Sequence, residues 1–144
     1  MLSHLRYACA VVLLLAGVSA AAAQIFVQPR PAPVFSDPVA RQISDWYVQY
    51  LRRYPDQPGL AGWVAVYQAR GPERVMAGIL GSDEYYRLHG ASDVGFIEGL
   101  FADALNRRAT NWETRHWLRQ LDFHRDRARL ALDFLRSNNG VTRF

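Results

Sequence analysis

The chain has 144 residues, of which 17 are basic and 13 acidic, so its net charge is +4 and its pI is near 9.6. All the basic residues are arginines, and the only cysteine is Cys9. A single cysteine excludes an internal disulfide and a zinc site built from several thiolates. The length suffices for one domain whose hydrophobic core is stable from packing alone.

The first 23 residues have the features of an export signal. Arg6 supplies a positive charge, residues 7–16 form an apolar run, and alanines at positions 21 to 23 provide a small-residue cleavage site. An uncleaved membrane anchor is the alternative, but the run is shorter than the roughly 20 apolar residues of a spanning helix. We therefore expect cleavage near Ala23, an exported protein (periplasmic or extracellular), and no stable membrane span afterwards.

A proline-rich linker, a helical domain and a short tail follow the signal. Residues 24–36 contain three prolines and no helical spacing, which predicts an extended linker. In residues 37–140, apolar residues recur at helical spacing without strand-like alternation, which predicts an all-α fold without β-sheet. Asp37 is expected to cap a first helix that runs to Tyr54, and Ser82 to cap a short helix ending at His89. Residues 141–144 form the tail.

The helical pattern occurs twice. Apolar residues of the first half recur 54 positions later, for example Ile43 as Ile97 and Trp63 as Trp117. The offset becomes 55 beyond a turn near Phe123. This repetition predicts two tandem three-helix units, residues 37–90 and 91–140, packed into one small domain with a shared core.

Comparison of the two copies assigns roles to the most conspicuous residues. Asp56 and Thr110 occupy equivalent positions before a helix, and Thr110 forms a capping box with Glu113. Because Thr110 has no carboxylate, helix capping is favoured over a role of Asp56 as a ligand or an acid. Trp63 and Trp117 lie on the apolar stripes, so we predict core anchors rather than sugar-binding platforms.

The segment 50–64 carries a helix end of the form Leu-x-Arg-x-x-Asp, followed by Gly-Leu-x-x-Trp. The residues in question are Leu51, Arg53, Asp56, Gly59, Leu60 and Trp63. This motif resembles the signature of the bacterial family "domain of unknown function 4214", and residues 75–85 are similar to that family's closing segment. The first unit matches well, whereas the second has Thr110, Glu113 and Thr114 where the family has Asp, Gly and Leu. The resemblance implies an exported all-helical module with no settled activity and no catalytic residues.

Positive charge is concentrated in residues 105–144, which include most of the second unit. Residues 105–144 hold nine arginines and four acidic residues, whereas residues 24–104 hold seven arginines and nine acidic residues. The candidate surface for an anionic partner consists of Arg115, Arg119, Arg125, Arg129 and Arg136. The simpler interpretation is pairing with acidic residues three or four positions away on the same helix. The alternative is binding of acidic polymer or lipid headgroups, since nucleic acid is not expected outside the cell.

The sequence predicts no catalytic residue, cofactor or metal ligand. His116 and His124 are eight residues apart, which does not place two imidazoles on one metal, and His89 is expected at a helix end. We therefore predict a non-enzymatic structural or interaction module of the cell envelope, with an envelope protein or acidic polymer as partner. An uncharacterised hydrolase is disfavoured, and would require His116 or His124 to share a pocket with a carboxylate. Ser82-Asp83-Glu84-Tyr85 is also similar to a segment of the phycobilisome linker domain, which implies scaffolding at most.

Overall fold

The computed structural model describes residues 36–138, in which seven α-helices and no strand are present. The helices are α1 (Pro38–Leu51), α2 (Gln57–Arg70), α3 (Pro72–Leu80), α4 (Asp83–Leu88), α5 (Asp93–Leu105), α6 (Asn111–His124) and α7 (Arg127–Ser137). The predicted all-α class is thereby confirmed. The predicted export signal, nearly all of the linker and the tail lie outside the described residues.

Short polar side chains start most of the helices. Asp37 accepts a hydrogen bond from the Val39 backbone N–H at 3.0 Å, and Ser82, Ser92 and Asp126 each accept one from the backbone N–H three residues on. Each of these bonds satisfies a donor that has no partner inside its helix. Ser92 is thereby the N-cap of α5.

The first helix is shorter than predicted. It ends at Leu51 because Arg52 adopts the left-handed conformation with a φ of 59°. Tyr54, which the sequence places on the buried stripe, therefore lies beyond the helix and is 43% exposed. Apolar residues continue at helical spacing through Tyr54, but the backbone is no longer helical there. Residues three or four positions apart share one face only within a helix.

The core is built around α3 and α7, which pack directly against each other. Both helices are apolar on most sides, and their buried residues are Val75, Met76, Ala77, Ile79, Leu80, Leu130, Ala131, Leu132, Phe134 and Leu135. Gly81 makes the close approach possible, because a methyl group on it would overlap the backbone of Ala128. The main contact therefore joins an early helix to the last one.

α2 and α6 have corresponding neighbours in the two halves. α2 packs on α1 and α3, and α6 packs on α5 and α7, while α4 contacts α1, α3 and α5. α2 and α6 are both 14 residues long and begin 54 positions apart. The division into units at residues 37–90 and 91–140 stays a prediction. Within the described residues no helix has the length and apolarity needed to cross a bilayer.

Candidate functional site

Two arginines of the last helix connect it to the first half of the chain. Arg127 forms an ion pair with Asp83 in α4, and Arg136 Nε lies 3.3 Å from Glu73 Oε2 in α3. These partners are 44 and 63 positions away along the chain. Pairing within one helix, the simpler interpretation of the sequence, does not hold for either arginine. Their charges serve the packing of α7 against α3 and α4.

Of the remaining four arginines of the candidate surface, one forms an ion pair and three do not. Arg129 Nε lies 3.1 Å from Asp133 Oδ2, the expected pair four residues apart on one helix. Arg115, Arg119 and Arg125 are exposed and form no ion pair with any described residue. Of the five arginines in the predicted surface, these three on and directly after α6 therefore keep uncompensated charge.

Each residue of the Asp-x-x-Gly-Leu motif has a structural role at the start of α2. Asp56 is the N-cap of α2, and its Oδ1 accepts from the Gly59 N–H at 2.8 Å. A Cβ on Gly59 would stand 2.6 Å from that same oxygen, so the site suits glycine. Leu60 is buried in the core. The carboxylate of Asp56 is thus occupied at a helix start, where it favourably faces the positive end of the helix dipole.

The corresponding start of α6 uses different residues for the same purpose. Thr110 and Glu113 form a reciprocal capping box, and Arg107 holds the Glu113 carboxylate through two bonds of 2.6 and 3.0 Å. These hydrogen bonds, that from Arg107 first, lower the pKa of Glu113 from 4.5 to about 2. Glu113 therefore stays ionised over the whole physiological range and belongs to a structural cluster.

The two motif tryptophans lie at the border of the core rather than inside it. Both are half-buried and packed against the core residues. The Trp63 ring covers Gly78 so closely that a Cβ there would overlap it, and Trp63 Nε1 donates to Tyr47 Oη at 2.7 Å. Trp117 instead packs edge-on against Phe134 with ring centroids 5.2 Å apart. Both tryptophans thus pack at the edge of the core, Trp63 against α3 and Trp117 against α7.

A cavity of about 220 Å³ lies beside Trp117, between α6 and α7. Its lining residues are His116, Trp117, Gln120, His124, Leu130, Asp133 and Ser137. In the first half, the position equivalent to Asp133 is Gly78, where a Cβ would overlap the Trp63 ring. Asp133 has the side chain that Gly78 lacks, and it lines the cavity together with Trp117. The sequence treats the two histidines separately, whereas the structure brings them to one cavity with a carboxylate.

The polar groups of this cavity do not form a catalytic constellation. Asp133 is bound by Arg129, and Ser137 Oγ donates to the Phe134 carbonyl at 2.9 Å. Within the described part of the chain, neither His116 nor His124 is hydrogen-bonded to the serine or to the aspartate. The same part contains no group of three or more His, Cys, Asp or Glu side chains arranged to hold a metal ion. A base aligned with a nucleophile is thus absent from this cavity as it stands.

A polar cluster that the sequence analysis missed joins α4 to α5. Tyr85 is fully buried, and its hydroxyl donates to Asp103 Oδ2 at 2.9 Å, while His89 Nε2 lies 3.2 Å from the same oxygen. Burial and the nearby Asp103 carboxylate raise the pKa of Tyr85, and the same two causes raise that of Tyr50 to about 12. The sequence does contain an indication of this cluster, because Asp103 lies on the same face of its helix as Phe96 and other buried residues. His89 lies at the end of α4, as predicted, and both of its ring nitrogens have partners.

The described residues thus form an all-helical domain with capped helices, two tryptophans at the edge of the core and several unpaired arginines. The sequence profile of the family described as "Domain of unknown function (DUF4214)" matches residues 76–144. This match supports the similarity of the chain to that family over residues 76–144. The match covers the second unit, in which the motif appeared more altered, whereas the motif at residues 50–64 lies outside it. No curated protein and no solved structure is significantly similar to the chain.

Proposed function

We propose that this protein is an exported, non-enzymatic interaction module of the cell envelope that holds an anionic partner through α6. The observation that carries this proposal is the pairing pattern of the arginines. Arg115, Arg119 and Arg125 are exposed and have no carboxylate partner among the described residues, although Arg127, Arg129 and Arg136 do. Unpaired exposed arginines supply planar, permanently charged donors for phosphate or carboxylate groups.

Retention on an immobilised polyphosphate matrix tests the proposal. The protein should bind at low salt and elute early as salt rises, because exposed charges are screened within about 10 Å at 0.1 M salt. The triple variant Arg115→Gln, Arg119→Gln, Arg125→Gln should elute at clearly lower salt. The matched control is Arg70→Gln, Arg74→Gln, Arg87→Gln, which removes the same charge from exposed positions elsewhere. Equal losses in both triples, or no retention of the parent protein, would refute a localised anion-binding surface.

Export is proposed from the first 23 residues alone. A cleaved signal leaves a mature chain that begins at Gln24, since the small residues of the cleavage site end at Ala23. N-terminal sequencing of the protein recovered from the envelope or the medium checks this. Recovery of a chain that retains the signal, or only from the cytoplasm, would contradict export.

Hydrolysis is the second candidate, and the cavity beside Trp117 favours it because His116 and His124 share that space with Asp133. We rank it behind binding because Asp133 is engaged by Arg129, and because no hydrogen bond joins either histidine to the carboxylate within the described residues. A panel of ester, amide and glycoside substrates tests it. Turnover that His116→Ala or His124→Ala abolishes would establish the enzyme and displace the binding proposal as the main function.

A further inference from the structure

One side of α6 carries large aromatic and basic side chains, here called the aromatic–arginine face. It consists of the exposed Trp112, Arg115, Arg119 and Phe123 and of the half-buried His116, which also lines the cavity beside Trp117. At about 100° of rotation per residue, these five positions fall within a sector roughly 100° wide. Trp112 is 64% exposed and Phe123 is 82% exposed, the highest value among the exposed large hydrophobic residues of the described chain.

The first half of the chain provides an internal comparison for this face. The equivalent positions of α2, 54 residues earlier, are Pro58, Ala61, Gly62, Ala65 and Ala69, and all of them are exposed. The corresponding exposed side of α2 therefore carries no aromatic and no basic side chain. The fold does not account for the aromatic and basic residues of α6, and water is an unfavourable environment for an exposed phenylalanine.

The face is rigid and carries net positive charge. The capping box and buried Leu121 fix α6, and Trp112 stacks on His116 with ring centroids 5.3 Å apart. Trp112 and Phe123 are about 16 Å apart along the helix axis, with both arginines between them. Two acidic residues of α6 lie near the aromatic–arginine face. Glu113 is turned towards Arg107, and Asp122 at the border of the face forms no ion pair with a described residue.

Resting on the proposed function, we propose that the anionic partner is a lipid surface that contains acidic headgroups. Phe123 and Trp112 enter the boundary between headgroups and acyl chains, and Arg115 and Arg119 bind the phosphates above them. Two aromatics on one line with arginines between them match the side-on binding of a helix to a membrane interface. A hydrated acidic polymer would meet the arginines but would leave Phe123 in water. A single helix face predicts weak, reversible binding.

Sedimentation with lipid vesicles tests this inference. Vesicles of phosphatidylcholine mixed with phosphatidylglycerol should retain the protein, and vesicles of phosphatidylcholine alone should retain much less. Phe123→Ser should weaken binding about tenfold, as expected for one aromatic ring returned to water. The matched control is Val94→Ser, which removes an apolar side chain that is 46% exposed on α5. Phe123 is exposed enough that its replacement leaves the core intact, which circular dichroism checks.

Trp112 reports on insertion directly. Lipids brominated in the acyl chains should quench the emission of the parent protein, and this quenching should be largely lost in Trp112→Phe. A four-site variant, Trp112→Ala, Arg115→Ala, Arg119→Ala and Phe123→Ala, gives α6 an outer side like that of α2. It should fold and lose vesicle binding. Emission that lipid bromines do not quench would overturn insertion.

The vesicle and polyphosphate experiments separate the two proposals. Phe123→Ser should still elute from polyphosphate with the parent protein, because its arginines are unchanged. Retention on polyphosphate without vesicle binding would overturn the lipid surface and leave the anion-binding function standing. Vesicle binding that is unchanged in Phe123→Ser, or equal without phosphatidylglycerol, would also overturn it. Failure on both supports would remove both proposals.

Discussion

The Tyr85 hydroxyl donates to Asp103 Oδ2 at 2.9 Å, and this bond joins α4 to α5 inside the domain. Tyr85 closes the Ser-x-Glu-aromatic segment of the family motif, so the aromatic residue of that segment serves as a buried donor. The Asp103 side chain is 19% exposed, and its Oδ2 also lies 3.2 Å from His89 Nε2. The connection between the two halves of the chain therefore depends on a charged group that is largely shielded from water.

Removal of this donor should destabilise the domain. Tyr85→Phe leaves the Asp103 carboxylate with one partner fewer, which should cost about 1–3 kcal/mol of unfolding free energy. Tyr54→Phe is the control, since that tyrosine is 43% exposed. Urea unfolding measures both changes. Equal stabilities of the two variants would show that the bond contributes nothing net.

The cap of α2 should be worth about 1 kcal/mol. Asp56→Ala removes the acceptor for the Gly59 N–H and should lower the unfolding free energy by about that amount. Asp56→Asn keeps an equally good capping side chain and should stay near the parent protein. A loss in the alanine variant that lies within experimental error would remove the capping role.

The Glu113 carboxylate should make the domain acid-sensitive in a defined window. Its pKa is about 2 in the folded protein against an ordinary value of 4.5. Between these values the unfolded chain binds more protons, so stability falls as pH is lowered through the window. Glu113→Gln lacks this group, so the two proteins should differ most at neutral pH and converge towards pH 2.

Urea unfolding at about pH 7 and about pH 3 checks the convergence. Glu98→Gln serves as the control because Glu98 is exposed and forms no ion pair with a described residue. A difference between parent and Glu113→Gln that stays constant across these pH values would contradict the role of the Arg107–Glu113 pair.

The two motif tryptophans should respond differently to the same change. Trp63→Phe breaks the bond to Tyr47 and should cost about 1 kcal/mol for that bond. Trp117 Nε1 has no hydrogen-bond partner among the described residues, so Trp117→Phe loses only packing and should be milder. Thermal unfolding of both variants measures the two losses of stability. An equal or larger loss in Trp117→Phe would mean that ring packing, and not the hydrogen bond, dominates.

Two glycines should respond to alanine with opposite signs. Gly81→Ala forces a methyl group into the backbone of Ala128 and should destabilise by about 1–3 kcal/mol. Gly62 lies inside α2 with open space around it, so Gly62→Ala should stabilise by about 0.4–1 kcal/mol. Destabilisation by Gly62→Ala, or tolerance of Gly81→Ala, would contradict the packing described.

The sequence predicts local features well because their causes are local. Ser82 and Thr110 act on backbone groups three residues away, so a short window contains both partners. The class of the fold follows from the apolar spacing for the same reason. The end of α1 was missed because a single residue, Arg52, leaves the helical conformation while the apolar spacing continues.

Contacts between residues that are far apart along the chain cannot be predicted from a short stretch of sequence. The pair of Arg136 with Glu73 spans 63 positions, so the sequence favours nearer acids on the same helix. The different settings of Trp63 and Trp117 depend on whether glycine or aspartate faces the ring from another helix. The cavity beside Trp117 is lined by two helices, so its position could not be predicted from the spacing within either one.

The packing of α3 has a consequence for how the family segment is understood. That segment begins at Met76, in the middle of α3, and so excludes α1 and α2, which cover part of this helix. The boundary marked by similarity between proteins is therefore not the boundary of cooperative folding. A polypeptide limited to the family segment would expose part of α3 to water, and it would have to self-associate or borrow equivalent helices from a neighbouring copy.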